Sequence, residues 1–328
     1  MSSIPIPEPT LSTRAMLCSL SISQWSASKH DRQASEEIAA HHGAQPDVGR
    51  YNKLLIPKET LAELHRIASE ARREHYFMTL PWDDNGYRVL PAAVYREHAD
   101  KLRECSRQFM AAVEVFAAQF DQLVIESRSR LGGLFRAEDY PTSREIRDKF
   151  GFETKVMPLP DADDFRVSLG DEERDRIKRQ ITASVEASLT VASRELWQRM
   201  YEAVSHMAER LSAYKTTEQG VEHPFRDSIV TNLVKLVDVM PRLNVTGDPE
   251  LERLTDQVHA SLLVDPAELR KSESVRADTA IKAARIAQQM SLAISWRRLH
   301  HDPCHLNHKM AAFRIIRWQC LVSGGWRT

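Results

Sequence analysis

Between Ala92 and Leu131 the residues Tyr95, Leu102, Phe109, Phe116 and Leu123 recur seven apart, and Val113 and Phe120 fill the intermediate turns. A seven-residue apolar repeat keeps one stripe facing one neighbour over many helical turns, as in a coiled-coil seam. Forty such residues predict a rod of about 60 Å at ~1.5 Å per residue. Gly132-Gly133 supplies its stop. A second stretch, Asp171 to Tyr214, carries Ile177, Ile181, Val185, Leu189, Leu196 and Met200 on one stripe and opens on Asp171-Glu172-Glu173, which suits a helix N-terminus. Its length predicts a matching rod of about 66 Å. Two rods of similar length are expected to lie antiparallel, each burying the other's stripe.

The rest of the chain reads as shorter pieces. Leu17 to Trp25 alternates Cys18, Leu20 and Ile22 with serines, the period-two pattern of a strand. Lys29 to Arg50 reads as a polar connector with room for a helical turn at Ala34 to Ala40, and Pro57 to Leu80 as a helix. Thr79 to Pro91 packs two prolines, an Asn-Gly turn and two aromatics into a structured loop. Ser143 to Phe150 reads as a short helix; Phe152 to Pro158 and Phe165 to Leu169 read as a hairpin that, with the N-terminal strand, predicts a minor three-stranded sheet. Helices are expected over Pro224 to Met240, Pro249 to Leu263 and Pro266 to about Trp296, each starting at or just after a proline. The expected fold is mainly α: an elongated antiparallel long-helix hairpin with a small β tip and a C-terminal helical bundle. The segments are 1–56, a strand and connector; 57–215, the hairpin with a small α/β insertion at 132–170; 216–296, C-terminal helices; and 297–328, a tail.

Composition narrows the function classes. Eleven glycines in 328 residues are about half the usual share, and neither Gly-x-x-x-x-Gly-Lys-Ser/Thr nor Gly-x-Gly-x-x-Gly occurs, so phosphoryl transfer and dinucleotide chemistry are not expected. Gly-x-Ser-x-Gly is also missing. These gaps predict a protein that is not an enzyme and takes no cofactor. Four scattered cysteines, no stretch of about 18 apolar residues and no basic-then-apolar leader predict a protein of the bacterial host cytoplasm with no membrane role.

Charge is balanced overall, 45 Lys and Arg against 46 Asp and Glu, so nucleic-acid binding would have to be local. The tail from Trp296 holds six basic residues against Asp302 alone and interleaves them with aromatics, a mixture suited to base stacking or to an interface. Arg297, Arg298, Lys309, Arg314, Arg317 and Trp318 are its nucleic-acid candidates. The one dense group of metal-ligand types is His300, His301, Cys304, His305 and His308. Four-residue spacing would put Cys304 and His308 on one face of a helix, but no distant Cys-x-x-Cys completes a structural zinc site, and a solvated polar joint is the plain reading. Asp83-Asp84-Asn85-Gly86 and Asp161-Ala-Asp163-Asp164 lack the spacing of a calcium loop and read as turns.

Three runs, Leu20-Ser-Ile-Ser-Gln-Trp-Ser-Ala-Ser-Lys29, Gly49-Arg-Tyr-Asn-Lys-Leu-Leu-Ile-Pro-Lys58 and Thr79-Leu-Pro-Trp-Asp-Asp-Asn-Gly-Tyr-Arg-Val-Leu-Pro91, resemble a phage, prophage and integrative-element protein family of unknown function. The resemblance covers roughly residues 15 to 295. Members of that family are often encoded near MoxR-type AAA+ ATPases, VWA-domain proteins and phage recombination proteins, which implies an adaptor or accessory role beside a remodelling ATPase. The tail departs from the family pattern, so nothing is implied for the His/Cys group.

The expected role is therefore non-enzymatic: an interaction or assembly protein using long helix faces and the loop residues Trp82, Asp83, Tyr87 and Arg88 to bind a protein partner, an AAA+ ATPase among the candidates, or copies of itself. The alternatives are a DNA-binding accessory acting through the tail and a metal-dependent hydrolase built on His300 to His308.

Overall fold

A computed structural model describes residues 11–164, 167, 170–217 and 220–300. The fold is mainly α with a small antiparallel sheet. In chain order the first elements are α1 (Leu11–Arg14), β1 (Ala15–Ser23), β2 (Ser28–His30), α2 (Arg32–His41), β3 (Asn52–Leu54), α3 (Ala62–Met78), β4 (Leu80–Pro81), β5 (Arg88–Pro91) and α4 (Tyr95–Leu131). There follow α5 (Glu145–Asp148), β6 (Gly151–Pro158), α6 (Asp171–Ala213), β7 (Lys215–Thr217), β8 (Gly220–Glu222), α7 (Ser228–Leu243), α8 (Pro249–Leu262), α9 (Pro266–Lys271) and α10 (Glu273–His300).

The main sheet runs β4-β5-β1-β6. β1 is antiparallel to β5, with Ala15 opposite Pro91 and Cys18 opposite Arg88, and β5 is antiparallel to β4. The expected three-stranded sheet is thus corrected: the loop read at Thr79 to Pro91 contributes two strands around its Asn-Gly turn. Of the expected strand Phe165 to Leu169 only Val167 lies among the described residues, and it is not in a strand. The polar connector is also more ordered than expected, since β2 pairs with β3 and Asp31 caps α2 by accepting from the Ala34 N–H at 3.1 Å.

The chain divides into two compact units. The first comprises Met1–Cys18, Phe77–Arg96 and Val156–Thr328; the second comprises Ser19–Tyr76 and Glu97–Lys155. The two long helices fall in different units.

In the second unit the seven-residue stripe of α4, including Leu102, Phe109, Val113, Phe116 and Phe120, is buried with Leu64, Ile67 and Ala71 of α3 and with Ile146 and Phe150. Trp25 closes this core edge-on to Phe120 at 5.5 Å. In the first unit Leu196, Trp197, Met200 and Val204 of α6 share a core with Leu233 and Met240 of α7, Leu254 and Val258 of α8, and Ala283, Ile286 and Met290 of α10. Each long helix buries its stripe with elements of its own unit. Periodicity says that a helix has an apolar face, and leaves open which neighbour takes it.

Two local signals set the C-terminal helices. Asp248-Pro249 and Asp265-Pro266 each place a carboxylate over the first helical N–H groups, Asp248 accepting from Glu250 and Leu251 and Asp265 from Ala267. The single helix expected from Pro266 is two. Ser272 is extended between α9 and α10, and its hydroxyl accepts from the Val275 N–H at 3.3 Å to start the second.

Candidate functional site

Buried residues on α6 begin at Ala192; from Asp171 to Val191, 21 residues of continuous helix, none is buried. Within this stretch Arg174, Ile177, Lys178, Ile181, Val185, Ser188 and Leu189 are half-buried on one face at the three- and four-residue spacing of a helical stripe, and Thr190 is half-buried on the opposite side. Leu189 packs against the first unit's core, whereas Ile177, Ile181 and Val185, though half-buried, belong to neither buried cluster among the described residues; the 3-10 turn Ala162–Asp164 packs against this helix. Charges on the same helix are held locally: Arg174 pairs with Asp171 at 2.7 Å and Lys178 with Asp163 at 3.6 Å. Ala183, Arg179 and Glu186 are exposed away from the stripe.

The stripe becomes a core face where α10 covers it. The Arg276 guanidinium lies 4.4 Å from the Tyr214 ring centre and that of Arg297 lies 4.7 Å from the Trp197 ring, so α10 runs antiparallel to α6. Trp197 donates its indole N–H to Asp248 at 2.9 Å, and Arg297 pairs with the same carboxylate at 2.9 Å. Deeper in the unit, the buried Arg199 donates to the carbonyls of Phe77 and Thr79 at 3.1 and 2.9 Å and pairs with Glu195.

The residues singled out in the sequence are placed as follows. Trp82 and Tyr87 are half-buried against the core. Asp83 accepts from the Asn85 and Tyr87 N–H groups and closes the turn; Arg88 donates to the Thr79 hydroxyl at 2.7 Å and to its carbonyl at 3.1 Å. All four take part in holding the β4–β5 hairpin. Arg297 is committed to Asp248 and Trp197. Arg298 and His300 enter only as α10 backbone, and His301, Cys304, His305, His308, Lys309, Arg314, Arg317 and Trp318 lie outside the described residues.

Two polar clusters of the second unit had no signal in the sequence, because their members are far apart in the chain. Lys53 Nζ lies 2.7 Å from Asp31, 2.8 Å from Asp139 and 2.8 Å from the Leu134 carbonyl, with all three side chains buried. Burial alone would lower the Lys53 pKa, but its hydrogen bonds to Asp139 and Asp31 raise it on balance; the bond to Lys53 is also the main cause holding the Asp31 carboxyl low. The second cluster is His75 and His98, both buried, with Nδ1 of one 3.1 Å from Nε2 of the other.

Burial pushes the His98 imidazole down to about 4, below its ordinary value near 6.5. The folded protein therefore binds this proton more weakly than the unfolded chain does. The contribution of the neutral ring is complete above about pH 6.5 and is lost as pH falls toward 4, up to about 3 kcal/mol. Urea unfolding of His98→Gln is expected to show a shallower loss of stability between pH 6.5 and 4.5 than the unmodified chain, and parallel losses would contradict this assignment.

In the first unit, burial pushes the Cys18 thiol up to about 12, with Arg88 offsetting part of the shift. Among the described residues no helix is long and apolar enough to cross a membrane. Comparison with protein-family models, with curated proteins and with solved structures gave no match.

Proposed function

We propose that this chain is a non-enzymatic interaction or assembly protein of a phage or integrative element, an adaptor beside an AAA+ ATPase, and that it works through the first half of α6. The observation that carries this reading is the stripe of Ile177, Ile181 and Val185 outside both buried clusters, on a helix anchored at its other end by Trp197 and Met200. A helix is stabilised chiefly by the packing of its apolar face. Here one end of α6 has that packing and the other carries a half-buried apolar stripe from Ile177 to Val185, about 12 Å long, the spacing used in helix-in-groove or helix-on-helix recognition. The resemblance of the runs at 20–29, 49–58 and 79–91 to mobile-element proteins is what suggests the ATPase-adaptor part of the proposal.

The DNA-binding alternative is weakened by Arg297, whose charge is taken up by Asp248 and Glu250. The test is positional. A photoreactive residue at Ile181 should cross-link the chain to another protein in the cell that makes it, and one at Ala183 should not.

A further inference from the structure

We infer that strand β6 is a self-association edge: it pairs antiparallel with β6 of a second copy of this chain, in the register that sets Glu153 opposite Lys155 in both directions. The inference goes beyond the reading of α6 as a docking face and uses none of its residues. Three observations carry it.

The first is position. β6 is the outer strand of the four-stranded sheet, and no strand among the described residues lies beyond it. An outer strand presents a row of N–H and C=O groups with which another strand can pair. Every residue from Glu153 to Pro158 is exposed. Since side chains along a strand alternate between its two faces, β6 is open on both faces over this length. Val156 and Met157 place apolar surface there, 49% and 42% exposed.

The second is charge. A lysine on an outer strand commonly wards off another edge, but Lys155 shares its face with Glu153, two residues away, the two side chains lying 3.2 Å apart and both exposed. Glu153, Thr154 and Lys155 therefore read as their own complement when the strand direction is reversed.

The third is register. A two-fold axis through Thr154 sets Glu153 opposite Lys155 of the second copy, Lys155 opposite its Glu153, and Phe152 opposite its Val156. The four charges then form a square of alternating sign, so the ion pair within each strand is kept and two cross-strand pairs are added, beside two apolar pairs. A slip of two residues sets Glu153 opposite Glu153 or Lys155 opposite Lys155, which is unfavourable, and a slip of one sets the wrong faces together. The same surface serves both copies, so the contact closes at two. The sheet's other outer strand, β4, is two residues long and buried, and offers no second edge for a longer array.

The experiment measures the mass of the full chain by sedimentation equilibrium. Strand pairing of this extent lies at the weak end of protein interfaces, so the concentration is raised to about 500 μM. The unmodified chain should pass from monomer to dimer. Glu153→Lys alone and Lys155→Glu alone should each weaken the dimer by about ten-fold or more, because two attractive pairs become repulsive. Mixing the two variants should restore it as a heterodimer, the lysines of one facing the glutamates of the other. Both side chains are exposed, and circular dichroism checks that the variants fold. An unmodified chain that stays monomeric, a single variant that dimerises as the unmodified chain does, or a mixture no tighter than either variant alone overturns the inference. Cross-linking from Ile181 is a separate readout, so either reading can fail while the other stands.

Discussion

Replacing Lys53 by Met is expected to destabilise the protein by about 3–5 kcal/mol, the range for removing one member of a buried ion pair. Lys53 is enclosed, and its ammonium holds Asp31, Asp139 and the Leu134 carbonyl together. Methionine fills nearly the same volume, so the loss reports charge and not a cavity. Two carboxylates would be left close together without the cation they share, and Asp31 is also the cap of α2, so the helix start loosens with it. The measurement is denaturant unfolding at pH 7 by circular dichroism. A loss below about 1 kcal/mol would mean that the carboxylates find solvent or another cation, contrary to the enclosure seen here.

The second large effect belongs to the other unit. Trp197 is wholly buried among residues of α6, α7, α8 and α10, and its indole N–H anchors Asp248, the cap of α8. Trp197→Ala should cost about 3–5 kcal/mol from lost burial and the cavity left behind, and it also removes the surface on which Arg297 stacks. A loss under about 1 kcal/mol would show that this core closes over the gap, and the α6–α10 pairing described above would need revision.

How much of this was legible in the sequence follows from the range of each interaction. The helices of α4, α6, α7 and α8 were readable because their apolar steps are local, and the turn at Asp83 to Gly86 because Asp-Asn-Gly chemistry is local too. The partners of the long helices were not, since Phe109 meets Ile67 and Phe150, and Met200 meets residues of α10, only through the fold. The break at Ser272 was hidden in a continuous helical pattern, as one hydroxyl decides it. Lys53 with Asp31 and Asp139, and His75 with His98, join residues too far apart to form a motif. For the candidate site, the stripe Ile177, Ile181, Val185 and Leu189 was visible as an apolar face; that three of its four residues are only half-buried and belong to neither buried cluster of the described residues was not, because burial depends on where neighbouring elements stop.

The claim on which the functional account turns is that this half of α6 is held available for another protein. The direct measurement is position-resolved photo-cross-linking in the producing cell, with the reactive group placed in turn at Ile177, Ile181 and Val185 on the stripe and at Ala183 and Arg179 away from it. The account predicts protein adducts of one common mass increment from the three stripe positions, lost when Val185→Glu is added to the Ile181 probe, and none from the other two. Adducts of equal yield from both sides of the helix, or none from any position, would contradict it.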